Sequence, residues 1–193
     1  MRRLISLTTG LAIGLFVLSI PSFAQEVNYP KAEVFGGFSI ERAGASFMGW
    51  QASGNYNVTH NLGIVGDFGG QYKTVLGVPM NSYEFLFGPR LMVRKNKVTP
   101  FAHALFGGIR NGVGSTTILG VTTPAVSATS LGMGIGGGLD VNISNRLALR
   151  VIQFDWTPEH IAGTTVAGVT VPGAWATNQI RIGIGLVVKA GQE

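Results

Sequence analysis

Two stretches of the sequence carry residue types that could do chemistry, and the first is rich in glycine. Gly132-x-Gly134-x-x-Gly137 matches the phosphate-binding fingerprint of dinucleotide enzymes, and Asp155 lies near the distance expected of the ribose-binding acid. That fingerprint functions only in a turn between a strand and a helix. Here it lies within one alternating apolar and glycine segment. The glycines are therefore interpreted as making space inside a sheet, and no cofactor is expected.

The second stretch is the neighbouring acid and histidine Glu159-His160. An enzyme that modifies lipid would need a histidine or carboxylate beside a serine or a second acid, and this is the only candidate pair. The histidines at positions 60, 103 and 160 share no metal-ligand spacing. We interpret the pair as solvated loop residues, so no catalytic residue and no metal site is predicted.

Composition limits the remaining classes of function. The 193 residues suffice for one domain, and the absence of cysteine excludes disulfides, thiolate metal sites and a lipid-anchor cysteine. Arg2, Arg3 and the apolar run Leu4–Ile20 predict a signal peptide at 1–24, which leaves a single domain at 25–193. Its removal reduces the basic residues from 14 to 12, against 9 acidic ones, which is too weak an excess to indicate nucleic-acid binding.

The elements that position these residues have a period of two. The segment Ile180–Leu186 has a large aliphatic residue at every second position, while Arg181, Gly183 and Gly185 lie between them. A period of two is typical of a β-strand with one apolar face. Because a soluble core would not face an arginine and two glycines, we expect the apolar face to point to lipid and the other face to an interior.

Eight segments of the chain share this alternation. In the fifth segment, the pattern places Phe101, Leu105 and Ile109 on the outer face and Arg110 on the inner face. The eight predicted strands are Lys31–Ile40, Phe47–Val58, Leu62–Lys73, Tyr83–Arg94, Pro100–Arg110, Ser130–Ile143, Arg146–Trp156 and Ala176–Lys189.

The seventh segment changes phase along its length. Leu147, Leu149 and Val151 share a face, but Phe154 and Trp156 have the opposite parity. A β-bulge adds one residue to a strand and restores the alternation beyond it. We therefore predict a bulge near Val151-Ile152, with the aromatic residues outward and the polar residues beside them inward.

The connections alternate in length. Those after the second, fourth and sixth strands have two to six residues, whereas Thr74–Asn81, Asn111–Thr129 and Thr157–Trp175 are longer, and only Arg42–Ser46 is short on that side. Short turns at one rim and long loops at the other are typical of barrels that span the outer membrane. A closed barrel also leaves no unpaired strand edge in lipid.

The sequence resembles the small OmpA-like or OmpX-like outer-membrane barrels over Lys31–Lys189. It is similar to their C-terminal assembly signal at Arg181, Gly183, Leu186 and Val188, although the terminal aromatic residue is missing. The resemblance implies an all-β, eight-stranded antiparallel up-and-down transmembrane β-barrel in the outer membrane of a Gram-negative-type bacterium. It implies contact with outer-membrane lipid and with the barrel assembly machinery during biogenesis, and no peptidoglycan-binding domain.

The charges assigned to the inner face are nearly balanced, with five acids and five bases. Buried charges must be paired or hydrated. Balance in a narrow lumen favours a salt-bridge network that fills the barrel, and the alternative is a thin water-filled path, as in a narrow channel for ions or small solutes. The predicted network contains Glu33, Asp67, Glu84, Arg90, Arg94, Arg110, Asp140, Arg150, Asp155 and Arg181.

The three long loops share a short sequence pattern, in which β-branched residues flank an x-Gly pair. This pattern predicts strands that extend beyond the membrane and end in tight hairpins with tips at Leu76-Gly77, Leu119-Gly120 and Ala167-Gly168. Their Thr- and Val-rich faces are suited to another surface or a hydrophobic ligand. We therefore expect a non-enzymatic protein with a structural or adhesive role. A narrow channel and a lipid-modifying enzyme are the alternatives.

Overall fold

The computed structural model describes residues 29–118, 121–166 and 169–191. Every regular element in these ranges is a β-strand. No helix in the described part of the chain is long and apolar enough to cross a membrane. The predicted signal peptide at 1–24 lies outside the described residues.

Eight long strands form the body of the molecule, and six short ones lie near the long-loop end. The long strands are β1 (Ala32–Ala43), β2 (Ala45–Asn57), β3 (Leu62–Val75), β4 (Val78–Met92), β5 (Val98–Val113), β8 (Val126–Asn142), β9 (Leu147–Trp156) and β14 (Gln179–Ala190). The short strands are β6 (Thr116–Ile118), β7 (Val121–Thr123), β10 (Glu159–Ile161), β11 (Thr164–Val166), β12 (Val169–Val171) and β13 (Ala174–Ala176).

The eight long strands close into a barrel. Each pairs antiparallel with its neighbour, in the order β1-β2-β3-β4-β5-β8-β9-β14. Closure is made by β1 and β14, which pair from Ala32↔Ala190 to Ala43↔Gln179. The predicted eight-stranded antiparallel barrel is therefore confirmed, and no long strand in the body has a free edge.

The barrel has two rims. The short-turn rim is formed by residues 58–61, 93–97 and 143–146, and the long-loop rim lies at the opposite end. At the long-loop rim, β3 and β4 remain paired up to Val75↔Val78, and Leu76 and Gly77 turn the chain with φ of 50° and 82°. Positive φ at both central residues is the geometry of the tight hairpin turn.

Two other hairpins extend the long-loop rim. Strands β6 and β7 pair up to Ile118↔Val121, and β11 and β12 pair up to Val166↔Val169. The predicted tips Leu119-Gly120 and Ala167-Gly168 lie outside the described residues. The fourth connection on this side is shorter than predicted: β1 continues to Ala43, and Gly44 alone separates it from β2, with a positive φ of 72° that suits glycine.

The outer face of the barrel is apolar, as the alternation predicts. Large hydrophobic side chains remain exposed along the strands, whereas their sequence neighbours point into the lumen. On β14, for example, Ile180, Ile182, Ile184 and Leu186 are exposed and Arg181 is buried. An apolar outside around a polar inside is the arrangement that lipid requires.

The prediction for the fifth strand is wrong, because its two faces are exchanged. In β5, Phe101, Leu105 and Ile109 are buried in the lumen, while Phe106 is outward and 54% exposed. Arg110 is also exposed and donates a hydrogen bond from Nη2 to Ser127 Oγ at 2.9 Å. Arg110 is therefore not part of the lumen network.

The physical reason lies in the adjacent strand β8. Phe101 is paired with Gly138 and Leu105 with Gly134. A Cβ added to Gly138 would lie 2.7 Å from the Phe101 ring, and one added to Gly132 would lie 2.5 Å from Ile109. The glycine row thus makes room for large side chains from β5, a relationship between strands that the alternation of one strand does not reveal.

The predicted bulge in β9 is confirmed. Gln153 pairs with Gly183 and Arg150 with Gly185, so three steps along β9 match two along β14. Val151 and Ile152 both face outward, with 39% and 47% exposure. Because of the extra residue, the side chains of the polar residues that follow it point inward again.

The closed sheet predicts slow unfolding by SDS without heat, because every strand of the barrel is paired on both sides. Unboiled mature protein should therefore migrate differently from boiled protein on an SDS gel. Identical migration of the two samples would contradict the closed barrel.

The bulge predicts which residue of β9 is dispensable. Deletion of Val151 removes the extra residue and leaves strict alternation, so the protein should keep its heat-dependent gel shift. Deletion of Phe154, the matched control, places Gln153 directly before Asp155 and should abolish the shift, since a one-residue slip exchanges the faces. Loss of the shift in both variants, or in neither, would contradict this account of the bulge.

Candidate functional site in the barrel lumen

Arg181 lies at the centre of the lumen. It is the third residue of β14 and follows the first exposed aliphatic residue of the alternating row, so its side chain points inward. Its exposure is 0%, and so are the side-chain exposures of its three acidic partners. A buried guanidinium requires such partners because desolvation of an unpaired charge is costly.

The partners of Arg181 come from both sides of the lumen. Its Nη2 donates to Asp67 Oδ1 at 2.8 Å and to Asp155 Oδ2 at 2.7 Å, and its Nη1 donates to Glu84 Oε2. Asp155 is on the adjacent strand β9, whereas Glu84 is on β4, four strands away and therefore opposite in an eight-stranded barrel. One side chain thus bridges the full width of the lumen.

Polar side chains surround this centre. Gln51 Nε2 donates to Asp67 at 2.8 Å, and Gln153 Nε2 donates to Asp155 at 2.7 Å. His103 Nε2 lies 2.7 Å from the other oxygen of Asp155, and its Nδ1 lies 3.5 Å from Arg90 Nη2. A guanidinium only donates, so Nδ1 is the acceptor in the contact with Arg90, and Nε2 faces the Asp155 carboxylate.

A second arginine extends the network towards the short-turn rim. Arg150 donates to both oxygens of Asp140, at 2.8 and 3.0 Å, and to Gln153 Oε1 at 2.7 Å. Its guanidinium lies 4.2 Å from the ring centroid of Phe35 and 4.3 Å from that of Phe101. Gln153 therefore links this ion pair to Asp155 and Arg181 in one continuous chain of hydrogen bonds.

Nine of the ten predicted lumen charges line the interior, and Arg110 does not. Glu33 and Arg94 form an ion pair of 2.6 Å near the short-turn rim. Arg90 is buried against Phe101, with its guanidinium 4.5 Å from the ring centroid.

Sequence reasoning missed four other charged or titratable lumen residues. Glu41, His103, Glu159 and Lys189 are buried. Glu41 is in phase with Glu33 on β1 and directly follows Ile40, the predicted end of the strand, so extending the alternation by one residue includes it. His103 lies on β5, where the alternation assigns the inner and outer faces the wrong way round.

The candidate catalytic pair is separated in the structure. Glu159 points into the barrel, where its carboxylate accepts from Asn111 at 2.8 Å and from Gln179 at 2.9 Å. His160 points the other way and packs edge-on against Trp175, with ring centroids 5.3 Å apart. The two side chains do not face a common reaction site.

The lumen charges are divided along the barrel axis. Towards the short-turn rim, the described buried or ion-paired residues are Glu33, Asp140, Arg90, Arg94, Arg150 and Lys189, two acids and four bases. The centre and the long-loop end contain Glu41, Asp67, Glu84, Asp155, Glu159 and Arg181, five acids and one base. The interior is thus basic at one end and acidic at the other.

Apolar packing closes the space beside the central arginine. Val65, Leu86 and Leu105 form a buried cluster contributed by β3, β4 and β5. Cavities remain at the two ends: one of about 400 Å³ beside Arg94 and Lys189, and one of about 200 Å³ beside Glu41 and Glu159. In the described part of the chain, no group of three His, Cys, Asp or Glu side chains is arranged to hold a metal ion.

The predicted assembly signal divides between the two faces of β14. Arg181 and Gly183 are buried on the inner face, whereas Leu186 and Val188 are exposed on the outer face. Leu186 pairs with Gly36, and Val188 pairs with Val34 on β1, at the closing seam. The signal therefore coincides with the strand that closes the barrel.

Comparison of the fold with solved structures identifies its type. Ail, the attachment invasion locus protein of Yersinia pestis, is 17% identical, with a TM-score of 0.52 over 82% of this chain and 98% of that chain. Neisserial surface protein A is 14% identical, with a TM-score of 0.55 over 82% of this chain and 95% of that chain. This is the fold of the small outer-membrane barrels. No protein-family model and no curated protein matches the sequence.

The central network predicts a large cost for removing its arginine. Arg181→Met leaves three buried carboxylates without their cation, so the free energy of unfolding should fall by on the order of 3–5 kcal/mol. Urea titration in detergent micelles measures the change. Adding Glu84→Gln and Asp155→Asn to the Arg181→Met variant should restore part of the lost free energy of unfolding, because these changes remove uncompensated charge.

The matched control is Arg42→Leu, since Arg42 is exposed on β1. It should change the free energy of unfolding by well under about 1 kcal/mol. Equal stabilities of Arg181→Met and Arg42→Leu would show that the lumen is wet enough to hydrate the carboxylates.

Proposed function

We propose that the protein is a non-enzymatic outer-membrane barrel with a closed lumen, which displays its long-loop rim at the cell surface for contact with other surfaces. The observation that carries the proposal is the bridge from Arg181 to Glu84 and Asp67 on the opposite wall, with all three side chains fully buried. A path for solute would have to pass through this bridge, and breaking it would strand buried charges.

The rim supports the second part of the proposal. The β3–β4 hairpin extends to a tip at which Leu76 is 98% exposed, and Val126, Ile161 and Trp175 are exposed at the same end. Exposed apolar side chains at this end of the barrel provide a surface for contact. Ail is named for attachment and invasion, and the Neisserial protein is named as a surface protein.

The absence of catalysis is also part of the proposal. This part is supported by the positions of Glu159 and His160, whose side chains point to opposite sides of β10 and contact different partners. General acid–base catalysis requires both groups within reach of one substrate. Mass spectrometry of lipid A from cells with and without the protein should give identical spectra, and a modified species that depends on the protein would contradict this part.

A closed lumen predicts no stable conductance. Refolded protein that shows the heat-dependent gel shift should give no reproducible current steps in planar bilayers, because the Arg181 bridge and the apolar cluster fill the cross-section. Stable unitary steps from the wild-type protein would favour the narrow-channel alternative.

The rim predicts attachment that depends on the hairpins. Bacteria displaying the protein should adhere to alkyl-coated glass more than the same host without it, and both should adhere equally to bare glass. Deleting Thr116–Thr123 and Thr164–Thr170 should remove the difference and keep the gel shift. Attachment that survives the double deletion would contradict the adhesive role and favour a structural one.

A further inference from the structure

The cavity at the long-loop end has a defined lining of apolar and polar side chains. It has a volume of about 200 Å³ and lies between the ends of β1, β2, β4, β5 and β14, with β10 at its side. Phe47, Ile109 and Val113 form part of its apolar wall, and Glu41, Glu159 and Gln179 supply polar groups. A concave site with an apolar wall and a few convergent polar groups is typical of small-ligand binding.

The two carboxylates of this cavity have no cation of their own. Glu159 accepts from the amides of Asn111 and Gln179, which are neutral donors. Glu41 makes no ion pair within the described ranges: its carboxyl group lies in hydrogen-bonding reach of Glu84 and Thr157, and its other charged neighbours are Arg181 and Glu159. Arg181 is already engaged by three other acids, so the acids at this end of the lumen outnumber the bases among the described residues.

Gln179 provides a second and independent indication of a ligand. It is 8% exposed, lines the cavity, and uses Nε2 to donate to Glu159. Its Oε1 is buried and has no hydrogen-bond partner among the described residues. A buried acceptor without a donor is costly, and it matches a ligand that brings an N–H or O–H group.

We propose that this cavity binds a small organic ammonium ion, with the N–H groups directed to Glu41, Glu159 and Gln179 and a short apolar body against Phe47, Ile109 and Val113. The carboxylates favour a cation, the amide oxygen favours one that donates hydrogen bonds, and the apolar wall favours a hydrocarbon body over a hydrated metal ion. The site is independent of whether the rim is adhesive.

Besides Arg181, the basic side chain of Lys73 lies near the site. Lys73 Nζ is 5.8 Å from the ring centroid of Phe47, which lines the cavity. Its positive charge opposes binding of the ammonium ion, so Lys73→Gln should increase the affinity of the site for that ion. The proposal therefore predicts two opposite effects on affinity: removal of an acid should weaken binding, and removal of the lysine should strengthen it.

The test uses the mature chain refolded in detergent micelles and labelled with ¹⁵N. Titration with n-butylammonium should give saturable amide shifts near Glu41, Ser82 and Gln179. Glu41→Gln and Glu159→Gln should each raise the Kd by about tenfold or more, since each removes a charge-assisted hydrogen bond. Gln179→Leu should raise it by about threefold or more, as expected for a neutral hydrogen bond.

Three controls separate this site from non-specific binding. Neutral n-butanol and tetramethylammonium, which has no N–H group, should bind at least about tenfold more weakly. Glu33→Gln removes a carboxylate near the opposite rim, where Glu33 pairs with Arg94, and should leave the Kd unchanged. All variants are scored only if they retain the heat-dependent gel shift, which separates loss of binding from loss of folding.

Several results would overturn the proposal. They are non-saturable shifts, shifts confined to the short-turn rim, equal binding of n-butanol, or a Kd that neither Glu41→Gln nor Glu159→Gln changes. Saturable binding of Mg²⁺ without binding of n-butylammonium would show that the site takes a metal ion instead.

Discussion

The need to neutralise one buried cation governs the interior of this barrel. Arg181 lies on the closing strand, and its guanidinium is stabilised only if Asp67, Glu84 and Asp155 reach it from three other strands. Their positions depend on the register of those strands, since a slip by one residue would turn each carboxylate outward. The ion-pair centre and the barrel register therefore specify each other: the sheet positions the charges, and the charges disfavour any other pairing.

The volume of the lumen imposes the second constraint. Large side chains from β5 enter the interior only because β8 presents glycines opposite them, as Phe101 with Gly138 and Leu105 with Gly134 show. Packing at this density tolerates few voids, so size complementarity between adjacent strands is as important as charge. The β9 bulge also contributes to the packing of the interior, because it turns the side chains of Gln153 and Asp155 inward after Arg150.

The alternation along single strands was enough to predict the barrel, the phase change at Val151-Ile152 and nine of the ten lumen charges. It failed on β5, where Phe101, Leu105 and Ile109 have the residue types of a lipid-facing row. Their inward direction is decided by the glycines of β8, and that pairing is a property of the closed sheet. The sequence predicts Glu159 as a loop residue for a similar reason, because its burial depends on Asn111 and Gln179, which are distant in sequence.

The division of charge along the axis has an electrical consequence. With acids at the long-loop end and bases at the short-turn end, the lumen is a dipole aligned with the barrel axis. If the Arg181 bridge were opened and the strands kept, cations would enter readily from one mouth and anions from the other. Such a pore would conduct unequally in the two directions. The closed barrel thus contains the charge pattern of a rectifying pore, and the Arg181 bridge together with the apolar cluster of Val65, Leu86 and Leu105 keeps it closed.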